Sequence, residues 1–281
     1  MVCRMAHSLA VAVAAAAVGI VVTAAAAQQP TGATVETQLA ALAQSKPTYS
    51  VDCQVNCLTF EGKGPLRGIR RALREKRIVK VLAIGSSSTS GIGASSPGAS
   101  YPMRLENDLE GILKGVDIDV VSRGIPGEVG QAAADRMRNE IADVRPDLVV
   151  WQVGTNDALA RVGAQSFSDT LRASIKWFQR NRIDVMLIDP QYVERLAVDE
   201  HYMTIVQTIT QVARDERVPL VHRFDAMADL AKQKGSGGYL ASDKFHLNDL
   251  GYRCMAQYVA RAIVAGVLNA DADAATETKK N

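Results

Sequence analysis

The order of strand-like and helix-like segments predicts an α/β fold built on a parallel sheet. Three observations carry this. Five short apolar runs stand out, at 79–84 (VKVLAI), 117–121 (DIDVV), 147–153 (DLVVWQV), 183–188 (IDVMLI) and 218–222 (VPLVH). They are continuous and rich in Val and Ile rather than strictly alternating, as strands covered on both faces must be. Helix-length stretches follow them, at 101–113, 128–142, 168–181, 197–216, 224–233 and 248–265. Helical crossovers between strands of one sheet make the strands parallel and put helices on both faces.

The ends of the 281-residue chain read differently. Residues 1–27 carry Arg4, an apolar run from Leu9 to Val22 and an Ala25-Ala26-Ala27 ending. This pattern predicts a secretory signal peptide cut before Gln28, and so a periplasmic or secreted protein. A retained anchor is the competing reading, but the apolar run is short for a membrane span. Without the leader the chain has no stable membrane insertion. The whole chain carries a net charge of +2, which gives no reason to expect nucleic acid as a partner. Residues 28–78 read as a linker and a small cysteine-containing extension, 79–265 as the main domain, and 266–281 as a disordered polar tail.

Export implies an oxidising compartment. Cys53 and Cys57 are near enough in VDCQVNCLTF to close a small disulfide, and no neighbouring His or Cys supports a metal knuckle. Cys254, in an apolar-periodic helix, is then expected as a buried thiol. The basic run 67–80 holds Arg67, Arg70, Arg71, Arg74, Lys76, Arg77 and Lys80. It reads as a solvated helix face ahead of a contact for anionic glycan or lipid headgroups.

Ligands of open parallel sheets bind beyond the carboxyl ends of the strands. Here the first three runs end in Gly85-Ser86-Ser87-Ser88-Thr89, in Ser122-Arg123-Gly124-Ile125-Pro126-Gly127-Glu128, and in Gly154-Thr155-Asn156-Asp157. A serine nucleophile needs a base. His201, inside a long helix, and His222, ending a strand, read as packing or surface histidines. His246 lies in a loop three residues after Asp243, an offset that lets the carboxylate orient the imidazole. A tetrahedral intermediate also needs donors for its oxyanion. The N–H groups of Ser87 and Gly127 and the side-chain amide of Asn156 can supply them. Each of these features alone has a plain structural explanation: a turn, a cap, a chance histidine. Their order at one edge of one sheet is what points to a site.

The set resembles the SGNH, or GDSL, hydrolase superfamily, over about residues 79–262. Gly85-Ser86-Ser87-Ser88-Thr89 is similar to the family's G-D-S-x-T block, which implies Ser87 as nucleophile, with Ser86 and Ser88 as the alternatives. Gly127 falls on the oxyanion glycine, Gly154-Thr155-Asn156-Asp157 on G-x-N-D, and Asp243 with His246 on D-x-x-H. One departure is Ser86, which stands where the family usually has aspartate. Whether Ser88 or Thr89 steadies the turn instead is left open by the sequence.

The resemblance implies a three-layer α/β/α sandwich of flavodoxin-like type with a five-stranded parallel sheet. It further implies ester hydrolysis through an acyl-enzyme, with no metal and no cofactor. The substrate expected is a small-molecule or glycan ester, with short acyl groups favoured by the small, polar loop 91–100. A lipid or aryl esterase and an O-acyltransferase are alternatives on the same site. A non-enzymatic glycan-binding module is a third, against which Ser87, Asp243 and His246 stand. A phosphate loop lacks its G-K-[ST] ending, and no HExxH appears.

Overall fold

The computed structural model describes residues 34–44, 48–62, 64–75 and 77–278. The expected signal peptide, 1–27, lies outside the described residues. Six strands form one sheet: β1 (Phe60–Glu61), β2 (Val79–Gly85), β3 (Ile118–Gly124), β4 (Leu148–Gln152), β5 (Asp184–Ile188) and β6 (Leu220–Val221). The helices are α1 (Val35–Gln44), α2 (Arg67–Glu75), α3 (Ser87–Ser90), α4 (Tyr101–Ile112), α5 (Gly130–Val144), α6 (Thr155–Leu159), α7 (Ala164–Arg180), α8 (Glu194–Ala197), α9 (Glu200–Asp215), α10 (Arg223–Lys234) and α11 (Asp249–Thr278).

The sheet order is β1-β6-β5-β4-β2-β3. All neighbours are parallel except β1, which pairs antiparallel with β6. Without β1, the order is that of flavodoxin-like sheets, whose ligands sit where the strand order reverses. Here that point lies between β2 and β4. The five expected strands are all present. The sixth, β1, comes from the segment expected as an extension, and its two residues are too few to show a periodic signal.

Both faces of the sheet are covered. Val79, Val81 and Ala83 of β2, with Leu148 and Val150 of β4, face a core shared with α1, α2, α4, α10 and α11. Leu82, Ile84, Val149 and Trp151 face a second core shared with α5, α7 and α9. Side chains alternate between the two sides along a strand, so a strand buried twice has no polar face to show. Capping fixes some of the flanking helices. Asp199 accepts N–H bonds from His201 and Tyr202 at the start of α9, satisfying donors that a helix leaves open.

Three expectations about the ends need correction. The segment read as a linker contains α1, whose Leu39 is buried and whose Glu36 pairs with Arg70 at 2.5 Å. The segment read as a disordered tail begins inside α11, where Val267 and Ala270 are buried and Gly266 accepts from the Leu66 N–H. Gly266 lies directly against Leu66, where a Cβ would stand 2.6 Å from the Leu66 Cγ. Finally, Cys53 is bonded to Cys254, 201 positions away, and Cys57 is a free, half-buried thiol. Cys53 ends a turn at Val51–Cys53 that lies against α11. Cys57 instead borders α10, whose Asp229 accepts the neighbouring Asn56 N–H. The basic run is partly engaged within the fold, since Arg77 holds Asp147 at 2.6 Å and Arg70 holds Glu36.

Candidate active site

The turn that carries Ser87 grows directly out of β2. Ser86 precedes α3, and Ser87 is its first residue, so the Ser87 N–H has no carbonyl within the helix to bond. The place of the missing aspartate is filled from β4. The Gln152 side-chain oxygen accepts from the Ser86 N–H at 3.0 Å, the Ser86 hydroxyl at 3.1 Å and the Thr89 hydroxyl at 3.4 Å. Thr89 also meets the Tyr101 hydroxyl at 3.2 Å. A neutral amide thus holds the turn, with Thr89 joining it. Ser88 turns elsewhere, towards Arg223 at 3.0 Å and Gln191 at 3.5 Å.

Gly127 lies in the turn after β3 with φ of 80°, a left-handed conformation that favours glycine, and beyond its two chain neighbours no atom lies within 4 Å of where a Cβ would stand. Asn156, on α6, donates one amide hydrogen to the Glu128 carbonyl at 2.9 Å. This contact ties Asn156 to the Gly127 turn and leaves its second amide hydrogen available. Glu128 is itself clamped by Arg136 at 2.6 Å. Asp157 spans the same two turns, accepting from the Gly130 N–H at 2.8 Å and the Gly154 N–H at 3.2 Å. Burial pushes the Asp157 carboxyl above its usual range, against those N–H bonds.

Asp243 and His246 meet as the three-residue spacing requires. Asp243 Oδ2 lies 2.5 Å from His246 Nδ1, and Oδ1 accepts the N–H groups of Phe245 and His246, both at 2.9 Å. Slight burial pushes the Asp243 carboxyl up, but these hydrogen bonds outweigh it and hold it below the usual range. The loop carrying His246 closes on the segment just after α3. A Cβ on Gly93 would lie 2.4 Å from the Leu247 carbonyl and 3.1 Å from the His246 Cβ. The Tyr252 hydroxyl also donates to the Ile92 carbonyl at 2.7 Å. His222, by contrast, is buried between Asp189 and Glu61. His201 sits on α9.

Sequence reasoning passed over Gln152, Gln191 and Arg223, all at most 2 % exposed. A signal existed for Gln152, the one polar residue inside the apolar run 148–153. Among the described residues no group of three or more His, Cys, Asp or Glu side chains is arranged to hold a metal ion. No helix among them is long and apolar enough to cross a membrane.

A flavodoxin-ordered sheet with helices on both faces thus carries Ser87, Gly127 and Asn156 on the segments that follow β2, β3 and β4. Residues 52–269 match the non-GDSL lipase-like family, and the chain belongs to it. Solved structures share the fold. TesA is 21% identical with a TM-score of 0.57, covering 66% of this chain and 97% of its own. A variant of Axe2, an acetyl xylan esterase from Geobacillus stearothermophilus, is 23% identical with a TM-score of 0.58, covering 66% and 94%. A two-domain esterase (CEX) active on acetylated mannans is 17% identical with a TM-score of 0.62, covering 74% of this chain and 55% of its own. No curated protein matches the chain.

Proposed function

We propose that the chain is an exported serine esterase that removes short acyl groups, acetyl above all, from carbohydrate O-esters. The observation that carries this reading is the 2.5 Å contact of Asp243 with His246, on a loop packed against the segment that follows Ser87. His246 takes the Ser87 proton as the hydroxyl oxygen attacks the ester carbonyl. Asp243 fixes the tautomer that leaves Nε2 free and stabilises the imidazolium. The N–H groups of Ser87 and Gly127 and the free amide hydrogen of Asn156 hold the oxyanion. His246 then protonates the leaving alcohol. Water, activated by the same imidazole, releases the acid and restores Ser87. Export follows from the leader pattern of residues 1–27. The glycan ester is supported by the polar loop 91–100 and by two similar folds named for acetylated glycans.

A second reading, longer acyl or aryl esters, has its own observation. Ile92, Ile125 and Leu159 are 39%, 47% and 46% exposed, and each lies within five residues of Ser87, Gly127 or Asn156. A panel of p-nitrophenyl esters from acetyl to decanoyl, followed by an acetylated polysaccharide, decides between the two. A rate that falls steadily with chain length and release of acetate from the polysaccharide support the first reading. Ser87→Ala is the control: if it hydrolyses p-nitrophenyl acetate as fast as the wild type, Ser87 is not the nucleophile.

A further inference from the structure

We propose that Gln191 and Arg223 are positioning residues that hold three catalytic loops in register with one another. The inference rests on the reading of Ser87, Asn156 and His246 given above. Gln191 follows β5 and Arg223 begins α10 just after β6; each is 1 % exposed. The Gln191 amide nitrogen donates to the Phe245 carbonyl at 2.9 Å, and its side-chain oxygen accepts the Ser88 hydroxyl at 3.5 Å. Its backbone N–H donates to the Thr155 hydroxyl oxygen at 3.3 Å. The Arg223 guanidinium donates to the Ser88 hydroxyl oxygen at 3.0 Å, to that of Thr155 at 3.4 Å and to the Asp189 carbonyl at 3.0 Å.

The pattern of partners makes the argument. Ser88 follows Ser87, Thr155 precedes Asn156, and Phe245 precedes His246. Two buried side chains therefore grip the chain neighbour of the nucleophile, of an oxyanion donor and of the base. The gripped residues lie on three segments separated by 67 and 90 positions, so chain connectivity alone cannot keep them in register.

Packing does not explain these residue types. Apolar side chains of similar volume usually fill a core as well as buried polar or charged ones do. The three hydrogen bonds of Arg223 all go to uncharged oxygens, so among the described residues no direct ion pair offsets the burial of its charge. Gln191 is anchored in turn by the Tyr202 hydroxyl, which donates to its carbonyl at 2.5 Å. Catalysis gives such a lattice a purpose, because a displacement of about 1 Å between reacting groups can lower a rate about a hundredfold.

The test compares Gln191→Leu, Arg223→Met, their double variant and Arg223→Lys, all assayed well below their melting temperatures with p-nitrophenyl acetate and a fluorophosphonate probe. Folded Gln191→Leu and Arg223→Met should lose roughly ten- to hundredfold in kcat with KM changed less than about threefold. Labelling of Ser87 should slow in parallel. The double variant should be little worse than the poorer single one, because the two side chains act on the same loops. Arg223→Lys, which keeps the charge and a donor, should recover part of the rate.

If a large substitution fails to fold, Ser88→Ala removes the shared hydroxyl with little change in volume and should show the same split. Kcat and labelling within twofold of wild type in folded Gln191→Leu, or in Ser88→Ala, overturn the inference. Ser87→Ala separates the two readings. If it abolishes turnover while Gln191→Leu does not lower it, only the positioning role fails. If it leaves turnover intact, the serine mechanism itself is wrong.

Discussion

Replacing Cys53 and Cys254 together by alanine removes a bridge that closes a loop of 201 positions. In the chain-entropy view such a bridge acts by restricting the unfolded chain, and the effect grows with the logarithm of loop length. For this span the relation gives about 5 kcal/mol at 25 °C. In a domain of this size each kcal/mol moves the melting temperature by roughly 2–4 °C, so the double variant should melt about 10–20 °C lower. The assay is a thermal melt followed by circular dichroism, with Cys57→Ala beside it. Cys57 is only half-buried and unbridged, so its variant should melt within about 3 °C of wild type. Alkylation in denaturant without reductant supplies the chemical half of the test. Cys57 should be modified, and Cys53 and Cys254 should be protected until dithiothreitol is added. A double variant that melts like the wild type, or an alkylated Cys254 beside a protected Cys57, would refute the reasoning.

Four other outcomes can be measured. On the proposed mechanism, in which Asn156 is one oxyanion donor, Asn156→Ala should lower kcat by about 10²–10³ with KM nearly constant. Gln152→Leu should destabilise the fold by roughly 1–3 kcal/mol in urea melts, since the Ser86 N–H and two hydroxyls lose their acceptor. It should lower turnover as well. Gly93→Ala places a Cβ 2.4 Å from the Leu247 carbonyl at a φ of 93°, so the His246 loop must shift; activity should fall more than stability. Asp184→Asn tests a pH term. Burial raises the Asp184 carboxyl to about 6, so the folded chain keeps this proton to higher pH than the unfolded chain does. Its contribution is therefore present below the ordinary value of 3.8 and lost as pH rises through about 6. Melts of Asp184→Asn between pH 4 and 7 should show a flatter fall than those of wild type.

The main sheet and the contact of Asp243 with His246 were legible because each left a local pattern. Doubly buried strands such as 147–153 show as apolar runs, and Asp243 with His246 lie within one turn of each other. What escaped was what depends on distance. Cys57 is four positions from Cys53 and Cys254 is 201 away, yet the fold brings the far one to 5.0 Å between Cα atoms. Sequence spacing favoured the nearer thiol because it carries no information about which face of α11 meets the front of the chain. The steadying of the Ser86–Thr89 turn by Gln152 is equally non-local, joining residues 66 positions apart. β1 was missed because two residues make no pattern; only the exposed edge of β6 gives them a partner.

That small strand changes how the protein should be trimmed. Phe60 and Glu61 pair with Val221 and Leu220, and the His222 N–H donates to the Thr59 carbonyl. Shortening the chain so that it begins at Val79 would strip this cover and leave β6 with unpaired backbone donors and acceptors at the rim. Bare rims of this kind template strand addition between molecules. The front of the chain is thus a guard against self-association, and its removal should show first as insoluble material rather than as lost catalysis.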